Sequence, residues 1–108
     1  MSNISVTIID SNNALTLDEL CRAVRAENAL ILQFIEYHII HPTGSTSENW
    51  QFDHINLKRA RLARNFYYEC EVNFAGIGLL LDMMERIEGL EADIARLQLS
   101  VSNQSECE

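Results

Sequence analysis

Met83, Ile87, Leu90, Ile94, Leu97 and Val101 recur at alternating spacings of four and three residues along the C-terminal third of this chain. That is the period of a heptad seam, one apolar stripe down the side of a long helix. A lone helix of this kind is marginal in water, because nothing covers its stripe. The stripe must pack against the same stripe of a second copy, for which an antiparallel arrangement is the preferred solution, or against the rest of its own chain. These six residues are therefore the expected dimerisation surface. Gly89 weakens the helix locally, and residues 102–108 are expected to form a frayed, disordered tail.

At 108 residues the chain makes one domain with a small core, so a contact between copies adds materially to its stability. Residues 1–72 hold the folded unit and 73–101 the seam helix. Hydrophobic residues at 47% and charged residues at 22% are ordinary for a globular chain in water. No apolar run has the length of a membrane span, and Met1-Ser2-Asn3 does not open a basic-then-apolar leader, so no membrane contact and a cytoplasmic location are expected. Cys21, Cys70 and Cys107 are an odd number without CxxC spacing. Cys21 and Cys70 fall on apolar helical faces and read as buried free thiols, not as a disulfide framework.

Ile4, Val6 and Ile8 alternate with Ser5 and Thr7, the period of a short N-terminal strand. Thr16 stands three residues before Glu19, a spacing at which two side chains satisfy free backbone donors at a helix start. Leu17, Leu20, Cys21 and Val24 then mark the apolar face of a first helix. A second helix is expected from about Asn28 to Tyr37. Ile31, Phe34, Ile35 and His38 share its inward side, whereas Leu30, Leu32 and Tyr37 lie off it and suit a contact surface. Pro42 ends the regular structure. Ile39-Ile40-His41 and Trp50-Gln51-Phe52 are β-prone and flank the turn formers Thr43 to Ser47, which predicts a small hairpin. Asp53 is placed to cap a third helix that turns Ile55, Leu62, Phe66 and Cys70 inward and its four basic residues mostly outward. Asn73 caps the last helix, where Gly76 and Gly78 allow a neighbouring helix to come close.

Charge is unevenly spread over this plan. The net charge is −8, and no lysine or arginine occurs from Ala26 to Leu57. Residues 58–75 carry Lys58, Arg59, Arg61 and Arg64 against Glu69 and Glu71 alone. An acidic face favours basic partners and repels polyanions. The basic cluster is the one feature suited to nucleic acid, but four phosphate contacts give modest, salt-sensitive affinity.

Strand, helix, helix, hairpin, helix and long helix is the order of a MerR-type winged helix-turn-helix followed by its dimerisation helix. Thr16-Leu17-Asp18-Glu19-Leu20-Cys21 resembles the opening helix of that superfamily. Tyr37-His38-Ile39-Ile40-His41-Pro42 stands where the superfamily has a GLLxP ending, with histidine in place of glycine. Trp50-Gln51-Phe52-Asp53, the Arg59-to-Arg64 helix, Phe74-Ala75-Gly76-Ile77 and Leu81-Asp82-Met83-Met84-Glu85-Arg86-Ile87 resemble the chaperone-modulator (CbpM) branch of the fold. The resemblance implies a mainly α fold: a MerR-like winged helix-turn-helix with a short N-terminal strand and a small β-hairpin wing, then the long heptad helix.

MerR-like regulators carry arginines on the second helix and just after the proline. Leu32 and Thr43-Gly44 occupy those places here, which implies a partner other than DNA. The CbpM branch binds the J-domain of a CbpA-like co-chaperone and blocks its stimulation of the DnaK chaperone. J-domains present a basic helix, and an acidic, partly apolar surface can compete for it by charge complementarity. On this resemblance the J-domain surface is Glu27, Leu30, Leu32, Glu36 and Tyr37, on the helix where the charge gap and the apolar excess coincide. A DNA-binding regulator using Lys58, Arg59, Arg61 and Arg64 is the alternative.

Catalysis is not expected. The chain has no nucleophile set, no phosphate-cradling glycine loop and no paired carboxylates beyond those of a helix surface. His38, His41 and His54 have no ligand spacing that links them to Cys21 or Cys70, so neither a metal nor a cofactor is expected.

Overall fold

Thr16 begins the fold by closing a reciprocal cap. Its backbone N–H donates to Glu19 Oε1 at 2.9 Å, and its hydroxyl accepts from the Glu19 N–H at 3.2 Å. Helix α1, Leu17–Val24, follows with Leu20 and Val24 buried. In this computed structural model, which describes residues 14–107, three more α-helices follow: α2 Asn28–Glu36, α3 His54–Glu69 and α4 Phe74–Cys107. Because the Thr16 cap satisfies otherwise open donors, Thr16→Ala is expected to cost about 1 kcal/mol, read as a lower urea midpoint at unchanged slope.

α1 ends at Arg25, whose φ of 64° is in the left-handed region where glycine is usual. The carbonyl of this strained residue accepts a hydrogen bond from Arg64 Nε on α3 at 2.9 Å, which ties the α1–α2 turn to the third helix. α2 buries Leu30, Ile31 and Phe34. The chain leaves α2 through His38, at φ 60°. Histidine tolerates this conformation better than most residues, though less readily than glycine. His38 is thereby exposed, not inward as its helical position predicts. The turn sends both Ile39 and Ile40 into the core, and the Ile39 N–H donates to Phe34 O at 2.8 Å.

That double burial explains why no hairpin wing forms. A strand turns successive side chains to opposite faces, so two adjacent buried isoleucines do not fit one. The described residues contain no β-strand. Thr43 and Gln51 make one isolated bridge through bonds of 3.0 and 2.9 Å, and Leu15 pairs with Phe52 in another. Between them the loop holds Gly44 at φ 114° and a short 3-10 turn, Ser47–Asn49. A Cβ at Gly44 would lie 2.6 Å from the Asn49 carbonyl oxygen, so glycine is required there. The N-terminal strand expected at Ile4 to Ile8 lies outside the described residues.

Asp53 caps α3 by accepting from the Asn56 N–H at 2.9 Å. The buried Asn56 amide returns to the loop: its Oδ1 accepts from His41 N–H at 2.8 Å and its Nδ2 donates to His41 O at 3.1 Å. The inward side of α3 is Asn56, Leu57, Arg59, Ala60 and Ala63. This differs from the expected face: Ile55 and Cys70 are exposed, and Leu62 and Phe66 only half-buried. The small side chains of Ala60 and Ala63 let α3 lie close against its neighbours.

Asn73 Oδ1 accepts from the Gly76 N–H at 2.7 Å and caps α4. A side chain at Gly76 would meet Val72 and Asn73, so this glycine serves its own helix start, while Gly78 merely touches Ile39. Ile77 and Leu81 enter the core with Leu20, Ile31, Phe34 and Phe52. Beyond Glu88 the helix leaves the domain and continues to Cys107, through the segment expected to fray; Ser102 to Cys107 contains neither glycine nor proline to stop it. No described helix is long and apolar enough to cross a membrane.

Candidate partner-binding surface

The structure separates the five candidate residues of α2. Leu30, expected on the contact surface, is 8% exposed and belongs to the core with Ile31 and Phe34. Glu27 is the exposed N-cap residue and makes no side-chain cap bond. Leu32, 42% exposed, and Glu36 lie one turn apart on the outer side. Tyr37 follows Leu32 by five positions, about 140° further round the helix. It is 47% exposed and leans on Phe74 at 5.1 Å between ring centroids. Around the helix axis Glu36 lies between them, so α2 exposes Leu32 on its flank, Tyr37 at its end and the Glu36 carboxylate in between.

Tyr37 is one end of an aromatic strip. Phe74, the first residue of α4, stacks on Tyr67 at 5.2 Å with the rings 6° from parallel, and Tyr67 meets Tyr68 edge-on at 5.1 Å. Below them Phe74 packs edge-on over the buried Phe34 at 6.1 Å. The strip joins the ends of α2 and α3 to the start of α4. Sequence reasoning missed it because its rings come from three helices. The only local signal is the pair Tyr67-Tyr68 just before a turn.

The basic residues of α3 are largely committed inside the molecule. Arg59, expected to face outward, is 7% exposed. Its Nε donates to the Ile39 carbonyl at 2.5 Å, and its terminal nitrogens lie 3.3 Å from Asp82 and 2.8 Å from Glu85 on α4. The signal for this lay in α4, where Asp82 and Glu85 stand three residues apart on one side. Lys58 pairs with Glu88 at 3.3 Å, an exposed bridge of little energetic value. Arg64 bonds the Arg25 carbonyl and sits 5.0 Å over the Tyr68 ring. Of the four cations, Arg61 alone makes neither a side-chain hydrogen bond nor an ion pair among the described residues.

Cys21 packs half-buried against the core, and its thiol donates to Asn28 Oδ1 at 2.9 Å. Burial, and secondarily the nearby Asp18 carboxylate, raise its pKa, so the thiol keeps the proton it donates. Cys70 is free and exposed. The six seam residues of α4 are 53 to 66% exposed in the single chain, so the stripe does not fold back on its own domain.

A helix pair, a loop and a third helix leading into one long helix define a protein of the MerR helix-turn-helix class, and residues 15–99 match the family model of MerR HTH family regulatory proteins. The chain is similar to the chaperone modulatory protein CbpM of Coxiella burnetii strain Dugway 5J108-111, with 38% identity over 91 residues, 84% of this chain and 86% of that protein. It is also similar to the chaperone modulatory protein CbpM of Pseudomonas entomophila strain L48, at 28% identity over 78% of this chain and 83% of that protein. The same-named protein of Pseudomonas putida strain W619 is 26% identical, with the same two coverages. No solved structure matches the chain. The chain belongs to the CbpM family, within the MerR-like helix-turn-helix proteins.

Proposed function

We propose that this protein is a non-enzymatic modulator of a chaperone system in the cytoplasm, acting as a homodimer that binds the J-domain of a CbpA-like co-chaperone and inhibits its stimulation of a DnaK-type chaperone. The observation that carries this reading is the surface of α2. It has no cation, and it exposes Leu32 and Tyr37 with the carboxylate of Glu36 between them and that of Glu27 at the helix start. A basic helix of a J-domain complements such a surface in charge, which raises encounter rate and selects the partner. The names of the similar proteins support the chaperone role. The commitment of Arg59 and Arg64 inside the fold weighs against DNA, because phosphate binding needs free cations.

Calorimetric titration of the purified protein with the J-domain of its cognate co-chaperone, at physiological salt, tests the reading. Binding is expected, with Leu32→Arg weakening it by about tenfold or more through a mismatched charge at the contact. Absence of heat and of complex at tens of micromolar would sink the proposal. A sequence-specific gel shift with promoter DNA at moderate salt would replace it with the transcriptional reading.

A further inference from the structure

We infer that the aromatic strip of Tyr37, Phe74, Tyr67 and Tyr68 is where the partner's basic helix docks, its lysine and arginine side chains lying across the rings and reaching Glu36, Glu69 and Glu71. This inference rests on the J-domain reading and locates its contact, extending it from α2 onto the end of α3. Three observations carry it.

The first is exposure of rings that are already ordered. Tyr37 and Tyr68 are 47 and 52% exposed, yet each ring is held against a neighbour, with Phe74 stacked on Tyr67 and anchored over Phe34. Tyrosines fixed in this way offer contact area with little rotamer entropy left to lose. The second is charge. Glu36 immediately precedes Tyr37, Glu69 follows Tyr68, and Glu71 lies in the turn at φ 55°. All three are exposed, and none is ion-paired among the described residues, whose carboxylate pairs lie on α4. The third is that one ring already carries a cation. Arg64 lies 5.0 Å over Tyr68, with its Nε held by the Arg25 carbonyl. A guanidinium or ammonium from a partner can occupy the other tyrosines by the same attraction, which strengthens as water is excluded.

A DNA strand does not suit this strip, because its phosphates would meet the three carboxylates. A second copy of the chain brings the same negative rim and is repelled. A basic amphipathic helix satisfies both the rings and the rim.

The test is calorimetric titration of the full-length protein with the cognate J-domain at low and physiological salt. Tyr37→Ala and Tyr68→Ala are expected to weaken binding by about tenfold each, as truncation of buried aromatic anchors does. Glu69→Lys, an exposed charge reversal that leaves packing untouched, is expected to weaken it several-fold and to reduce its salt dependence. Glu48→Lys makes the same charge change in the loop entering α3, at the end away from Tyr67, and is expected to change affinity less than about twofold. If the unaltered protein binds the J-domain but the tyrosine variants and Glu69→Lys all stay within twofold of it, the strip is overturned and the functional reading stands. If the unaltered protein does not bind, the reading falls and takes the strip with it. Loss of self-association instead of J-domain binding in Tyr68→Ala would overturn the inference in favour of a contact between copies.

Discussion

Arg59→Ala is expected to lower the stability of the domain by roughly 2–4 kcal/mol, although Arg59 is a charged residue on a helix that looks solvent-facing in sequence. The Ile39 carbonyl is buried and takes its hydrogen bond from Arg59 Nε. Removing the donor leaves that oxygen unsatisfied, at about 1–3 kcal/mol. The rest is the packed stem of the side chain, since arginine covers apolar surface with its methylenes. The ion pairs to Asp82 and Glu85 add less, because both carboxylates are substantially exposed and screened. Arg59→Lys should recover little: lysine keeps the charge but lacks the planar fork that serves the carbonyl and the carboxylates together. Urea denaturation followed by circular dichroism measures both variants. An Arg59→Ala protein within about 0.5 kcal/mol of the unaltered one would show that the guanidinium is dispensable.

The same residue shows where sequence reading stops. The caps were legible, because Thr16 with Glu19, Asp53 with Asn56 and Asn73 with Gly76 are each fixed by residues three apart. The rotation of α3 about its axis was not. Apolar periodicity favours Ile55, Leu62 and Phe66, but the buried face is built on Ala60, Ala63 and Arg59. It goes with a need that arises elsewhere: His38 stops α2 in a left-handed turn, Ile39 enters the core, and its buried carbonyl takes its hydrogen bond from Arg59 on α3. The failed hairpin has the same origin. The β-branched pair Ile39-Ile40 is used for core packing, and β-propensity yields to burial.

The contact surface divides in a similar way. The missing cations of α2 and the exposed Leu32 could be read directly from spacing, whereas the burial of Leu30 depends on how α2 sits against its neighbours. The aromatic strip is a product of the turn between α3 and α4. Glu71 takes φ 55° there, and the Val72 N–H donates to Phe66 O at 3.1 Å, closing the chain tightly enough to stack Phe74 on Tyr67. Phe74 follows Tyr67 by seven positions, but the helix is broken between them after Glu69, so their meeting does not follow from the period of one continuous helix.

Leu90→Asp combined with Ile94→Asp is expected to abolish self-association while leaving the domain folded. Both residues are more than half exposed in the single chain, and both lie in the part of α4 that has left the core, so the substitution costs the monomer little. In a paired seam each position is covered. The variant then loses roughly 1.5–3 kcal/mol of apolar burial per side chain and must also desolvate a carboxylate with no cation of its own seam to meet it. An antiparallel pair brings Met83 of one copy near Val101 of the other, with Leu90 and Ile94 close to the centre. The double change therefore falls where both copies meet it together. Sedimentation velocity should report a dimer for the unaltered protein and a monomer for the variant at tens of micromolar, with unchanged circular dichroism of the N-terminal domain. A variant that remains dimeric would place the contact on another face. A protein already monomeric would mean that the stripe awaits a different helix, since an exposed heptad seam of this length has no other reason to keep its apolar period.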